Sequence, residues 1–323
     1  MLYSIIGLIC VTLVGLLAHG LGICLVTAVK KALKGQPSLL AAIMMSGLWV
    51  GAYSVLANYN DWSHPFPRFA GHVWFALGGF VFGIGASINQ ACSVSTLYQF
   101  ARGNLSMLFT MVGWFAGWYL WDSILSSFSI PMNYQKLPLL SEQFVNIMFA
   151  FSVLFTLIII VRFPQERGRW IGVSAIGLLV AALFFIELMW APSRLLQDVG
   201  LTVVEDKESP SIYRISLALM MLIGMRISVM WHSAQRFRWP TLYKFMRHGL
   251  GGLMMGIGGA IALGGNDAQI LMGIPSISYG AIIAIVFMLI GIAFEQYIYT
   301  YYNDFKLRIY SRRSSTSGSG ESG

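Results

Sequence analysis

Nine long apolar stretches, each closed by a short polar run, divide the chain at roughly 2–29, 39–57, 70–91, 105–127, 143–162, 170–191, 211–232, 248–264 and 276–302. A helix needs about 20 mostly apolar residues to cross the hydrocarbon of a bilayer, and these stretches are of that order. The period-two alternation of a membrane β-barrel is missing. The pattern predicts an all-α polytopic membrane protein with about nine transmembrane helices. The eighth stretch has a soft end, because its apolar run dissolves into Gly264-Gly265-Asn266-Asp267.

The third and eighth stretches contain an internal repeat, the feature to seek before any motif. At one constant offset, Gly78, Gly79, Gly83, Gly85 and Ile88 match Gly251, Gly252, Gly256, Gly258 and Ile261, and Cys92 falls opposite Gly265. Small-residue spacings are common in membrane helices for packing alone, but Ile84/Ile257 and Ile88/Ile261 carry the match beyond glycine. Spans one to four (1–142) then form one half and spans six to nine (169–305) the other, joined by span five and its basic loop (143–168). A half with an even number of spans ends on the side where it began, so a single joining span starts the second half from the other side. The halves are therefore expected to be inverted, an arrangement that builds transporter sites near the midplane from interrupted helices. Segment 86–104 is expected toward the cytoplasm and segment 259–275 toward the outside, as mirror partners with short re-entrant helices.

Composition agrees with this picture. Hydrophobic residues make up 57% of the 323 and charged residues only 11%, with a mean hydropathy of +0.69. A soluble domain carries about a quarter charged residues, so most of this surface has to face lipid. The net charge of +8 would suit nucleic acid or anionic lipid, but its placement decides otherwise. Lys30, Lys31 and Lys34, then Arg162, Arg167 and Arg169, then Arg236, Arg238, Lys244 and Arg247, then Lys306, Arg308, Arg312 and Arg313 all fall on one side if nine stretches cross. The loop after span six, with Asp198, Glu205, Asp206 and Glu208 against Arg194 and Lys207, falls on the other. Basic loops mark the cytoplasmic face. The N-terminus is expected outside and the C-terminal tail (306–323) inside, with no nucleic-acid partner. Residues 2–29 lack the charged start and cleavage site of a signal peptide and read as a retained span. Ser314–Gly323 reads as an added or disordered Ser/Gly-rich tail.

Candidate chemistry collects at the two Gly-rich segments. Residues 89–104 are too polar for lipid yet continuous with an apolar helix, and irregular backbone at such depth has to be buried in protein or line a cavity. A helix ending near Asn89–Cys92 and a short second helix capped by Ser93 or Ser95 would fit. Free N–H groups at such a helix start suit an anion. The plain alternative is a cytoplasmic loop after a packing helix. On the other side, Asp267 either caps its own short turn or binds a cation or proton. Cys92 lies beside a polar break; Cys24 and Cys10 sit on apolar helix, where a lone thiol is usually a small packing residue. His19, Glu187 and Arg226 are ionisable groups within spans and so candidates for function, with Arg226 able to snorkel and His19 equally explained by packing. Glu187 and Arg226 fall at different depths and are not expected to pair. With three cysteines no disulfide scaffold is expected. No His-Glu-x-x-His, Walker loop or Cys-x-x-Cys occurs, so neither a cofactor nor an enzymatic activity is expected.

The run from Gly79 through Cys92, then Thr96 through Asn104, resembles the YeeE/YedE sulfur-transport family. So does Gly251 through Gly258 with Gly-Gly-Asn-Asp after it, and Gly20-Leu-Gly-Ile-Cys24 is similar to that family's first Gly-rich segment. The resemblance implies a prokaryotic inner-membrane protein shaped as a pseudo-symmetric hourglass, with short helices dipping to the centre. It implies uptake of a small sulfur-containing anion such as thiosulfate, or a related selenium species, handed along by thiol S–H groups. Cys24 and Cys92 would be two such thiols, with Asn89, Ser93, Gly85, Gly258, Gly265, Asn266 and Asp267 along the path. The sequence departs from the family at Gly265, where the second half has no thiol. The alternative is a non-transporting membrane subunit whose basic loops, 30–37 and 233–247, dock a cytoplasmic sulfur-carrier or redox protein.

Overall fold

The computed structural model describes residues 2–60, 66–125, 134–205, 209–232, 239 and 241–317. Asp206, Lys207, Glu208, Arg236, Arg238, the side chains of Glu205, Lys306, Arg308, Arg312 and Arg313, and the end of the Ser/Gly-rich tail lie outside the described residues. Helices account for nearly all of the described structure: α1 (Leu2–Gly20), α2 (Leu25–Ala32), α3 (Ser38–Tyr59), α4 (Val73–Asn89), α5 (Ser93–Ala101), α6 (Met107–Leu120), α7 (Glu142–Arg162), α8 (Arg167–Phe184), α9 (Pro192–Glu205), α10 (Ile212–His232), α11 (Leu242–Ile261), α12 (Asn266–Ala268) and α13 (Tyr279–Ser317). The only extended pairing among the described residues is an isolated bridge between Phe69 and Lys136. The protein is an all-α polytopic membrane protein.

Seven described segments are long and apolar enough to cross a membrane: Leu2–Ala32, Ser38–Tyr59, Val73–Ala101, Glu142–Arg162, Pro164–Phe184, Ile212–Trp231 and Tyr279–Tyr302. The stretches expected at 105–127 and 248–264 are helical as well but fall outside those seven. The first is α6, only 14 residues long before a π-helical turn at Trp121–Leu125. The second is α11, whose opening turns carry Lys244 and Arg247 and whose apolar face is thinned by glycine.

Three expectations need correcting. Residues 2–29 are two helices, because the chain leaves α1 at Gly20 and restarts at Leu25. The described part of the acidic segment expected as a loop after span six is helix α9 (Pro192–Glu205), which starts with Pro192 at its first position, where a fixed φ and a missing N–H cost nothing. The Ser/Gly-rich end is entered by α13, which continues to Ser317.

Packing brings the elements together in a repeated pattern. Helix α4 lies against α11 at the centre; α6 flanks α11 and α13 flanks α4. Away from that pair, α10 packs on α1 while α3 packs on α8, and α1 meets α8. The short elements follow suit: α5 rests on α10, and the π-helical turn Gln269–Gly273 rests on α3. Helix α7 lies outside this set, against α3 and α8, and presents Ile147, Phe151, Leu154, Leu157, Ile158 and Val161 outward. Exposed apolar side chains of this kind are what lipid requires.

The α4–α11 contact is a glycine crossing. A Cβ on Gly78 would come within 2.7 Å of the Gly258 carbonyl oxygen, and one on Gly258 within 2.6 Å of the Gly78 oxygen. At the other end, Gly85 and Gly251 stand in the same relation, at 2.7 and 2.9 Å. The outer flanks repeat the device: Gly79 and Gly83 abut the Ala284 and Met288 carbonyls of α13, while Gly252 and Gly256 abut the Thr110 and Trp114 carbonyls of α6. Without an aqueous hydrophobic drive between helices in lipid, such close backbone approach is a main source of packing energy.

Adding one methyl group at these contacts should therefore be costly. Gly252→Ala is expected to destabilise the detergent-solubilised protein by about 1–3 kcal/mol, the usual range for overpacking. Gly51→Ala, where an added Cβ meets nothing within 4 Å, is expected to be neutral or to gain up to about 1 kcal/mol of helix propensity. Thermal melting of the two variants against the parent checks this; equal melting of all three would contradict it.

Candidate functional site

Four helices are interrupted in one manner. Each is followed, before the chain restarts as a helix, by a residue in the left-handed region: Gly22 (φ 62°), Gln90 (φ 60°), Met189 (φ 57°) and Leu263 (φ 60°). At three of these breaks the next N–H closes back five residues, from Ile23 to Ala18 (3.1 Å), Ala91 to Ala86 (3.1 Å) and Gly264 to Gly259 (2.8 Å), as in a Schellman ending. Two residues beyond each turn point come Cys24, Cys92, Ala191 and Gly265, and immediately after them α2, α5, α9 and α12 begin. Three turn points are not glycine, and a left-handed residue with a side chain costs roughly 1–2 kcal/mol; the surrounding packing has to hold them there. The break at Met189–Ala191 was not read from the sequence, although Ala-Pro-Ser is a helix-start signal.

The second starts of these helices meet. Cys92 itself is the N-cap of α5, one position ahead of the expected Ser93 or Ser95. Its N–H donates to Ser95 Oγ at 2.7 Å, and that hydroxyl lies 3.1 Å from Cys24 Sγ and 3.3 Å from Cys92 Sγ. The N–H of Leu25, at the start of α2, donates to Cys92 Sγ at 3.4 Å. One hydroxyl thus touches both thiols. All three cysteines are free and buried, and Cys10 lies apart, in α1. Because Cys92 takes the cap, Ser93 is released to reach across to the other Gly-rich segment.

There, Ser93 N–H and Oγ donate to Asn266 Oδ1 at 3.2 and 2.6 Å, and Ser93 Oγ lies 2.9 Å from Asp267 Oδ1. Asp267 Oδ2 accepts the N–H of Ser193, in the first turn of α9, at 2.9 Å. Asp267 does not cap its own turn, where Gly265 holds the N-cap position without a side chain. It serves the neighbouring helix instead, because its own turn of three residues points the carboxylate outward to α9 and α5. A Cβ at Gly265 would lie 2.8 Å from Ser193 Cβ and 3.0 Å from Ser193 Oγ. The space of a second-half side chain is already taken by Ser193.

Other candidates hold this arrangement from outside. Asn89 donates to the Ala91 carbonyl and Thr96 Oγ1, both at 3.0 Å, and its Oδ1 meets Thr110 Oγ1 (2.7 Å) and His248 Nδ1 (2.8 Å). It braces the α4–α5 break. Arg247 Nε donates to the Ile88 carbonyl at 2.7 Å and Arg226 Nη1 to the Ala101 carbonyl at 2.9 Å, cations placed at helix C-termini where the dipole favours them. Glu187 pairs with Arg214 at 3.4 Å, and Arg214 with Asp198 at 3.2 Å. His19 Nδ1 meets Ser228 Oγ at 2.9 Å and its ring meets Tyr98 edge-on. Gly85 and Gly258 belong to the α4–α11 crossing.

Against the meeting point lies a cavity of about 70 Å³. Its polar wall is Cys92, Asn266, Asp267 and Ser46; the rest is apolar, with Val14, Ile43, Ile176, Val180, Leu183 and Trp190. Two sequence-selected segments, 86–96 and 259–268, are therefore joined at one polar point beside one small chamber. Ser95, expected only as a possible cap, and Ser193, not singled out in the sequence, complete it. Among the described residues no cluster of metal-ligating side chains is present.

A protein-family model described as sulphur transport matches the chain twice, over residues 22–171 and 163–294. The two matches meet in the α7–α8 region, between the two Gly-rich segments. No curated protein matches the chain.

Removing the hydroxyl between the thiols should be felt in stability. Ser95→Ala leaves the Cys92 N–H without its cap acceptor and is expected to cost about 1–3 kcal/mol, the penalty of an unpaired buried donor. Thermal unfolding in detergent reads this; a melting temperature equal to the parent's would contradict the bridging role.

Proposed function

The chain belongs to the YeeE/YedE sulphur transport family, and from that premise we propose that it is a permease for a small sulfur-containing species of the thiosulfate class or its selenium counterpart. At the coarser level it is a multi-pass membrane protein of a sulfur-transporting family rather than an enzyme family. The observation that carries the finer reading is the convergence of Cys24, Cys92 and Ser95 with Asn266, Asp267 and Ser193 beside a buried chamber.

The path runs through this point. The chamber, at about 70 Å³, has room for a small inorganic species. A sulfur species held there meets Cys92 on one side and the Asn266–Asp267 pair on the other. A thiol S–H there is a weak donor, and its sulfur a weak acceptor, to a passing sulfur or oxygen atom. The polar residues lie on helix starts and so are fixed in position, while the apolar wall offers no strong binding; a transported species has to leave as well as enter.

Two inverted halves with nine crossings suit this role. In support, packing of α1 on α10 is answered by α8 on α3, of α6 on α11 by α13 on α4, and of α5 on α10 by Gln269–Gly273 on α3. The turn points Gln90 and Leu263 are separated by the same offset as Gly78 and Gly251. With Lys30, Lys31, Lys34, Arg162, Arg167 and Arg169 cytoplasmic, the N-terminus is outside and the membrane is the inner membrane of a prokaryote.

The test is uptake by proteoliposomes of a panel of ³⁵S-labelled species: thiosulfate, sulfite and hydrosulfide. For the species that moves fastest above protein-free vesicles, Cys92→Ala and Cys24→Ala are expected to lower the rate by about tenfold or more, equivalent to about 1.4 kcal/mol of lost path stabilisation. Cys10→Ala is expected to leave it unchanged. Parental rates in both Cys92→Ala and Cys24→Ala would contradict a thiol path.

A further inference from the structure

Helix α12 separates the chamber from a second cavity, of about 40 Å³. The chain lines the two by turns. Pro192 lines the chamber and Arg194 the second cavity; Asn266 and Asp267 line the chamber, Ala268 and Gln269 the second cavity. Ser193 and Gly265 line neither and stand between them, so close that a Cβ on Gly265 would lie 3.0 Å from Ser193 Oγ. The Ser193 backbone is held there, its N–H donating to Asp267 Oδ2 at 2.9 Å. Its hydroxyl is not held: Ser193 is fully buried, and its Oγ has no hydrogen-bond partner among the described residues. A buried hydroxyl left unpaired is costly, and native proteins carry few of them.

The repeat sets this hydroxyl against the chemistry of the first Gly-rich segment. The offset that places Cys92 opposite Gly265 also places Ser95 opposite Ala268, and the second residue beyond each break pairs Cys24 with Ala191. The first set brings two thiols and the hydroxyl between them. The matching set, Ala191, Gly265 and Ala268, brings no polar side chain, and the Ser193 side chain fills the space beside Gly265. An O–H donates well to oxygen, whereas sulfur is a weak acceptor. The polarisable Cys92 sulfur on the chamber wall suits the sulfur of a ligand; the unpaired Ser193 hydroxyl suits an oxygen. A site with such a hydroxyl penalises a ligand that brings no acceptor to it, because the hydroxyl then stays unpaired.

We infer that Ser193 is a ligand contact and a specificity-determining residue. A species crossing between the two cavities passes Ser193 and Gly265, and the Ser193 hydroxyl donates to a terminal oxygen of a sulfur species whose other end faces Cys92. The class selected is a sulfur oxyanion, over an oxygen-free sulfide. This rests on the permease reading for its path and goes beyond it in assigning the contact and the ligand atom it reads.

The experiment measures equilibrium binding of ³⁵S-thiosulfate and ³⁵S-hydrosulfide to the purified protein, for the parent, Ser193→Ala and Ser193→Cys. Thermal melting without ligand and uptake into proteoliposomes are read separately. The parent is expected to bind thiosulfate more tightly than hydrosulfide. Both variants, which remove the hydroxyl and keep the residue small, are expected to weaken thiosulfate binding by about tenfold and to leave hydrosulfide binding unchanged. Ser193→Ala is expected to melt at or above the parent's temperature, because the hydroxyl has no partner within the protein to lose; a structural role would lower it. A parent that binds hydrosulfide as tightly as thiosulfate, a parent that binds neither, a binding ratio unchanged in either variant, or a Ser193→Ala protein that melts well below the parent overturns the inference. Ser193-dependent thiosulfate binding without uptake would overturn the permease reading while leaving the contact standing.

Discussion

The backbone contact between α4 and α11 is the constraint on which the rest depends. Four glycines, Gly78 against Gly258 and Gly85 against Gly251, let the two helices touch main chain to main chain. Any larger residue would push them apart, and with them α6 and α13, which are seated on the same two helices by four further glycines. Both helices are followed by a left-handed residue, Gln90 and Leu263, and the strands of chain that follow are short. Cys92 and Gly265 stand only two residues further on. Whatever sets the α4–α11 spacing therefore sets the separation of the two helix starts that meet at Ser93 and Asn266.

From that spacing the chemistry follows. A helix start buried within a membrane protein has N–H groups that need acceptors, since unpaired donors there are costly. The protein supplies them from the opposite segment: Asn266 for Ser93, Asp267 for Ser193, and the Cys92 sulfur for Leu25. The groups that hold the fold closed are thus the same groups that face the chamber. A ligand entering it would exchange contacts with the structural clasp itself, so binding and the joining of the two Gly-rich segments share one set of hydrogen bonds.

Much of this was legible in the sequence because glycine spacing and apolar length are direct consequences of the membrane environment. The repeat at 78–92 and 251–265 marked two segments that the structure joins, with Ser93 reaching from the Cys92 break to Asn266 and Asp267. The hydrogen-bond partners were less accessible. Ser95 and Ser193 are ordinary helix-start residues in the sequence, and nothing local says that their hydroxyls sit beside Cys24 or Gly265. A cap on its own turn was one of two readings open for Asp267, because capping is usually local; here the turn is three residues long, and its carboxylate accepts from the start of α9. The stretch after span six looked like a loop because its charges outweighed Pro192. The apparent single span at 2–29 hid a break because Gly22 lies among glycines common to packing faces.

The central claim is that a sulfur species occupies the chamber between Cys92 and Asp267. The most direct measurement is an experimental structure of the protein soaked with a selenium-containing analogue, located by its anomalous signal. The account predicts a selenium peak inside the chamber, in contact with the Cys92 sulfur and within hydrogen-bond reach, through the ligand's other atoms, of Asp267 or Asn266. A peak confined to a membrane-exposed or cytoplasmic surface, with the chamber free of selenium at saturating ligand, would contradict it.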